Sequence, residues 1–309
     1  MSIGPQTGGS RRRIVVALTA YGRRETTLAA LGALERAAAG LDEAVEAVLV
    51  DDASPDGTAA AVRERFPWVQ VVPGAGNLFW CRGMHLALAH AMESGPEFVL
   101  WLNDDTTLDE DALARLVAVH DGLSDTGARP LIVVGSTRDP ATGRRSYGGC
   151  ARVAGISRIA TRYVEPGPHP QRLDTFQGNL VLVNARAYGK VGNLDAAFEH
   201  GMGDTDYGFR AGYAGVPIWL APATCGTCSP NGAQGSYFDA SLPWRTRWAL
   251  FVGRKGMPPA SWLRFTRRHA GFSWPLYFLL PYASFWFGLV RDALYARTAG
   301  NRWSAKQAP

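Results

Sequence analysis

The chain has 309 residues, 47% hydrophobic and 19% charged, which is enough for a large core and too mixed for a disordered or fibrous protein. Its charge is lopsided: residues 241–309 carry 11 basic residues against one acid, Asp292, a net +10, while the first 240 carry 21 basic and 26 acidic residues, a net −5. A basic tail suits an anionic surface, and the four cysteines (Cys81, Cys150, Cys225, Cys228) are too few and too scattered for a disulfide framework.

The first twelve residues read as a disordered leader. The apolar piece that follows, Ile14 to Ala20, is short for a signal peptide and flows into the helix-like "YGRRETTLAALGALERAAAG". From there strands and helices alternate. Strand character is found in "RIVVALT" (13–19), "AVEAVLV" (44–50), "WVQVV" (68–72), "EFVLWL" (97–102) and "LIVVG" (131–135), with helices near 25–39, 57–66, 83–93 and 109–120. This rhythm predicts an α/β fold with a mostly parallel sheet flanked by helices. After residue 140, short alternating runs predict a small antiparallel extension, closed by a helix over 204–215 and a strand over 216–222. Residues 13–240 therefore read as one body, in two halves, 13–135 and 136–240.

The tail, 241–309, reads as helical. It holds six of the ten tryptophans, and "FSWPLYFLLPYASFWFGLV" (272–290) is nineteen residues without a charge, preceded by "RFTRRH". That length just suffices to span a bilayer. Pro275, Pro281 and Gly288 would bend such a span, whereas aromatics and arginines favour the headgroup region. Contact with a membrane surface is the favoured reading, ahead of packing alone and of a true span. Long aliphatic-aromatic runs do not track phosphates, so nucleic acid is not an expected partner.

Three acidic sites punctuate the body. Strand 44–50 ends on Asp51 and Asp52, followed by the turn Ser54-Pro55-Asp56-Gly57, where carboxylates can accept hydrogen bonds from a base and a ribose. Strand 97–102 ends on Asn103, Asp104 and Asp105, and the two aspartates offer hard oxygens that suit Mg²⁺ or Mn²⁺. Adjacent carboxylates repel, and a divalent ion offsets that repulsion. Asp204 and Asp206 stand at a helix start, where a carboxylate serves equally well as a cap. A receiver domain needs a downstream lysine, and none occurs before Lys190; a haloacid-dehalogenase-like phosphatase needs Asp-x-Asp after strand one, which ends Thr19-Ala20-Tyr21. The lone Cys225-x-x-Cys228 lacks the second pair that zinc would need.

"VALTAYGRRETTLAAL", "VLVDDASPDGT", "GNLFWCRGMHLAL", "LWLNDDT", "GNLVLVNARAYGKVGNLDAAF" and "GDTDYGFRAGYAG" together resemble the inverting family-2 glycosyltransferases of the GT-A fold, over roughly residues 13–222. The likeness is strongest to rhamnosyltransferase-like members that build bacterial surface polysaccharides. It implies a Rossmann-like GT-A domain, with 13–135 as the nucleotide-binding half and 136–240 as the acceptor half. It implies that Thr19, Tyr21, Asp51 and Asp52 form the nucleotide pocket and that Asn77 and Gly83 line the donor loop. Asp105, with Asp104, would be the Mg²⁺ or Mn²⁺ site, Asp104 also facing the donor, and Asp204 would be the general base. The implied partners are a UDP- or dTDP-linked sugar and a hydroxyl acceptor, such as a lipid-linked glycan, at the cytoplasmic face of a membrane. The chain departs from the pattern with Gly22 for the common Asn, Arg82 for the common glycine, and "CGTC" where a histidine often follows the last body strand. A nucleotidyltransferase or a non-catalytic nucleotide-sugar binder on the same fold is the competing reading.

Overall fold

The computed structural model describes residues 11–124, 129–155 and 157–304, with side chains as far as residue 289. Most of the expected leader lies outside the described residues. The chain divides into two compact units, Met1–Asn231 and Gly232–Pro309.

In the first unit the elements run β1 (Arg13–Ala20), α1 (Arg24–Ala38), β2 (Ala44–Asp51), α2 (Thr58–Arg65), β3 (Val69–Pro73), α3 (Phe79–Glu93), β4 (Phe98–Leu102), β5 (Thr107–Leu108), α4 (Ala112–Ser124) and β6 (Ile132–Arg138). There follow β7 (Gly149–Arg152), β8 (Thr161–Tyr163), β9 (Gln171–Leu173), β10 (Thr175–Phe176), β11 (Leu180–Asn184), α5 (Ala185–Val191), α6 (Gly203–Tyr213) and β12 (Ile218–Thr227). The main sheet has the order β3-β2-β1-β4-β11-β6-β12-β5, with β9 also on β12. The pairs β1/β2, β1/β4, β2/β3 and β6/β12 are parallel, and a separate antiparallel sheet holds β10-β7-β8.

The five residues of β4 are all buried, as are those of β11. Helices cover both faces of such a sheet, so its central strands are apolar on every residue, with no alternation. Ile14, Val16 and Leu18 of β1 share one core with Leu31 and Leu34 of α1 and Leu100 of β4. The antiparallel segment does more than extend the sheet. Strand β11 enters its middle, antiparallel to β4 on one side and β6 on the other. Its "LVLVN" sequence gives burial on both faces but says nothing about its neighbours.

Two helix boundaries matter for the site. Helix α3 begins at Phe79, four residues before the expected start, so Gly83 lies inside the helix. Helix α4 begins at Ala112, and the acids before it are taken by arginines: Asp109 by Arg138 in a two-point pair at 2.8 Å, and Asp111 by Arg115 at 2.7 Å.

The second unit comprises α7 (Trp244–Val252), α8 (Pro259–His269), a 3₁₀ turn at Gly271–Ser273 and α9 (Trp274–Ser304), with Pro281 inside α9. One face of α9 packs within the unit. Phe285 stacks on Phe251 of α7 at 5.0 Å, and the Tyr282 hydroxyl donates to the Met257 carbonyl. On the opposite face Leu276, Leu279, Leu280 and Phe287 are exposed, as is Phe272 just before the helix. Among the described residues no helix is long and apolar enough to cross a membrane.

Candidate functional site

Strands β1, β2 and β4 are parallel neighbours, so their last residues gather at one end of the sheet. Such an edge is where ligands bind in open α/β folds. Thr19 is buried there and Tyr21 is exposed. Asp51, the last residue of β2, and Asp52, the next, divide their work. Asp52 accepts from the backbone N–H groups of Gly76 (2.7 Å), Leu78 (2.8 Å) and Phe79 (3.3 Å), so it shapes the turn into α3. Asp51 accepts only a long bond from Ser54 N–H (3.4 Å), and its buried Oδ1 has no partner. A buried polar atom without a partner costs about 1–3 kcal/mol, which a ligand donor can relieve. Of the expected pair, Asp51 is therefore the one with an oxygen left to accept a further hydrogen bond.

Asn77 is exposed on the loop between β3 and α3. Gly83 sits elsewhere than expected: it is buried on α3 against β1, where an added Cβ would lie 2.2 Å from Thr19 Oγ1. Its lack of a side chain serves this close helix–strand approach, so it does not line the loop.

At the tip of β4 the residues expected to hold a metal meet an arginine. Arg23 Nη1 lies 2.6 Å from Asp105 Oδ2 and 3.3 Å from Asp104 Oδ1. Burial pushes the Asp104 carboxyl up to about 6, against the opposing pull of Arg23. The Cys228 thiol, pushed up to about 12 chiefly by burial and then by Asp105, is neutral and donates to Asp105 Oδ1 at 3.4 Å. Among the described residues no three His, Cys, Asp or Glu side chains converge on one metal position. Two carboxylates with hard oxygens, already holding one cation, nevertheless fit part of the shell of a divalent ion, with phosphate or water completing it.

Asp204 is the second residue of α6. Its Oδ2 accepts from Gly178 N–H (3.1 Å) and its Oδ1 from Thr205 N–H (2.7 Å). Burial raises its carboxyl above the ordinary range, and these two N–H groups only partly offset that. Gly178 and its neighbour Asn179 tie this acid to the other cluster, because the Asn179 carbonyl accepts from Asn103 N–H, next to Asp104. Trp80 completes the link: its indole donates to Asn103 Oδ1 at 2.7 Å, and its ring closes on Gly178. Asp206 faces elsewhere. It is fully buried and paired with Arg210 at 2.8 Å, while Arg210 also donates to the carbonyls of Val191 and Asn193.

Three non-glycine residues with left-handed backbone stand beside these acids: Ala53 (φ 59°), Phe79 (φ 57°) and Met202 (φ 72°). Each costs on the order of 1–3 kcal/mol, and such strain gathers where side chains must be held for function. Sequence reasoning assigns no role to Arg23, Trp80 or Gly178, and notes Asn103 only as the residue before the acids. The signal for Arg23 was its place in the "GRRE" turn at the tip of β1, directly beside the strand that carries the acids.

Residues 15–146 match the family model described as Glycosyl transferase family 2. Over 213 residues the chain is 29% identical to the N-acetylglucosaminyl-diphospho-decaprenol L-rhamnosyltransferase of Mycobacterium tuberculosis, covering 61% of this chain and 68% of that protein. The mannosyltransferase PcManGT from Pyrobaculum calidifontis, solved in complex with GDP-Man and Mn²⁺, matches with a TM-score of 0.53 at 17% identity, over 94% of this chain and 80% of its own. S. aureus TarS 1-349 in complex with UDP matches with a TM-score of 0.50 at 13% identity, over 82% and 71%. A second TarS 1-349 structure is spanned over 60% of its length. At such identities the solved structures speak for the fold alone, and that fold is GT-A.

Proposed function

We propose that this chain transfers a sugar from a nucleoside diphosphate to an acceptor hydroxyl with inversion, a reading supported by the match of residues 15–146 to the Glycosyl transferase family 2 model. The observation that supports the reading is the Gly178–Asn179 link, in which Gly178 donates to Asp204 and the Asn179 carbonyl accepts from Asn103, the residue before Asp104. Asp51 receives the nucleoside through its unpartnered Oδ1, with Thr19, Tyr21 and Asn77 around it. Asp204 accepts the acceptor's hydroxyl proton as the oxygen attacks the anomeric carbon. The carbon–oxygen bond to the diphosphate breaks, and the nucleoside diphosphate leaves. A raised carboxyl pKa makes Asp204 a better proton acceptor than an ordinary aspartate. Asp105 and Asp104 are the residues to hold Mg²⁺ or Mn²⁺, which when bound supplies positive charge against the departing diphosphate. Asp206 fixes the start of α6 through Arg210.

The relative's name points to a lipid-linked glycan acceptor and an L-rhamnose donor, so a UDP- or dTDP-linked sugar is the donor class to test first. The second unit suits such an acceptor. The exposed apolar face of α9 lies next in sequence to Arg264, Arg267 and Arg268 of α8, the pattern of a helix resting in an anionic membrane surface. On this reading the enzyme works at the cytoplasmic face of a membrane, where a lipid-linked acceptor would lie.

A panel of nucleotide sugars with Mn²⁺ tests the reading by product. Release of nucleoside diphosphate with an inverted anomeric linkage, seen by NMR, supports it. Release of pyrophosphate marks a nucleotidyltransferase, and binding without any product marks a nucleotide-sugar binder.

A further inference from the structure

We propose that Arg23 is the resident cation of the Asp104–Asp105 pair, displaced when a divalent ion binds and then turned onto the donor's diphosphate. The proposal rests on the metal-dependent transferase reading above.

A comparison among this chain's own arginines carries it. The structural arginines are held at several points. Arg138 grips Asp109 with two nitrogens at 2.8 Å each, and Arg210 uses three, on Asp206, Val191 and Asn193. Arg23 engages both carboxylates through Nη1 alone, and its Nε and Nη2 have no acceptor among the described residues. Its side chain is 47% exposed, whereas that of Asp104 is 10% exposed. A single-nitrogen contact on a half-exposed side chain is easily broken, and the unused N–H groups match the fork that binds phosphate oxygens.

The backbone beneath Arg23 is fixed, so the side chain can move alone. Its carbonyl accepts from Thr27 N–H (2.9 Å) and from the hydroxyls of Thr26 (3.0 Å) and Thr27 (2.8 Å). On either side, Gly22 N–H donates to Ser54 Oγ at 3.0 Å and Arg24 N–H to Asp56 Oδ2 at 2.9 Å. These bonds tie the arginine to the turn after Asp51 and Asp52. Electrostatics supplies the direction of the exchange. A buried Asp104 beside the half-buried Asp105 needs a positive charge before the donor arrives, and Arg23 provides it. A divalent ion on the same oxygens repels the guanidinium, and the incoming diphosphate attracts it.

The test uses the full chain as wild type, Arg23→Gln and Arg23→Lys. Mn²⁺ affinity is measured by EPR without nucleotide, and then UDP, dTDP and GDP affinity by calorimetry at saturating Mn²⁺. Loss of the competing charge should tighten Mn²⁺ binding in Arg23→Gln by roughly tenfold. Loss of the phosphate fork should weaken binding of the preferred nucleotide by roughly tenfold in both variants. Arg23→Lys, which keeps the charge, should bind Mn²⁺ like the wild type. Unchanged or weaker Mn²⁺ binding in Arg23→Gln overturns the proposal, as does unchanged nucleotide affinity. A wild type that binds no Mn²⁺ overturns the metal reading and this inference with it, a result distinct from the first two.

Discussion

The sheet edge that carries the acids and the exposed face of α9 are opposite kinds of surface. At the sheet edge, carboxylates are drawn out of water and nearly every oxygen is answered by a backbone N–H, an arginine or a thiol. On α9, large apolar side chains are exposed, Phe287 at 75% and Leu276 at 60%. Burying unanswered charge and exposing apolar area are both unfavourable, so each region marks what it lacks. Among the described residues, the edge leaves the Asp51 Oδ1 unpartnered and the helix leaves an apolar face exposed.

The two acids of α6 differ in the same way, one beside backbone N–H groups and one in an ion pair, and their substitution carries the largest expected effect. Asp204→Asn keeps size and one accepting oxygen but cannot take a proton, so turnover should fall on the order of 10² to 10⁴ while donor affinity persists. Asp206→Asn should reduce stability and leave the chemical step nearly intact, because it weakens the buried ion pair of Asp206 with Arg210. Steady-state kinetics with nucleotide titration separates them; a dead Asp206→Asn beside a normal Asp204→Asn reverses the roles. The pH profile sharpens the point. A base works deprotonated, so activity is lost as pH falls through the Asp204 pKa. Burial raises that pKa, so the acid limb of kcat should lie above the ordinary carboxylate range.

Asp105→Ala comes next, since it removes one carboxylate from the divalent site while leaving Asp104 and Arg23 paired. Mn²⁺ affinity should fall by at least about tenfold, and the Mn²⁺-dependent part of nucleotide binding with it. Full turnover in EDTA would show that the acidic pair holds no metal.

On the apolar side of the comparison, Leu276→Glu with Leu279→Glu and Phe287→Glu changes only exposed positions, so folding should persist. Binding to anionic vesicles should drop by at least about tenfold, since each substitution removes apolar area and adds repulsion. Equal flotation of variant and wild type with phosphatidylglycerol vesicles removes the membrane reading. A change in sedimentation instead assigns the face to a second copy of the chain.

Much of this was legible from residue type. Val48 to Val50 and Phe98 to Leu102 showed as central strands because burial on both faces leaves no alternation, and the acids at their ends marked the functional edge. What stayed hidden depended on distance through space. Strand β11 reads like any buried strand, and only the fold inserts it between β4 and β6. Gly83 looked like a loop glycine, yet it answers to Thr19, sixty-four positions earlier. Arg23 and Asp105 are likewise far apart in sequence and share no periodic pattern, so their ion pair shows only in the fold.

The smallest effect expected is the one that separates Asp51 and Asp52, identical in type and adjacent in sequence. Asp52 accepts three backbone N–H groups with its two oxygens, all from the loop that leads into α3. Asp52→Ala leaves those donors without acceptors in a buried setting, at about 1–3 kcal/mol for each that water fails to reach. The melting temperature should drop by several degrees, and nucleotide binding should weaken only as the loop loosens. Asp51→Ala removes one long bond from Ser54 and an oxygen that has no partner, so the fold should lose little or even gain. Nucleotide affinity should instead fall by about tenfold, the worth of one charged hydrogen bond to the nucleoside. Thermal melts with calorimetry on both variants decide the matter. A destabilised Asp51→Ala with normal nucleotide affinity would return that oxygen to the fold and leave the nucleoside to other residues.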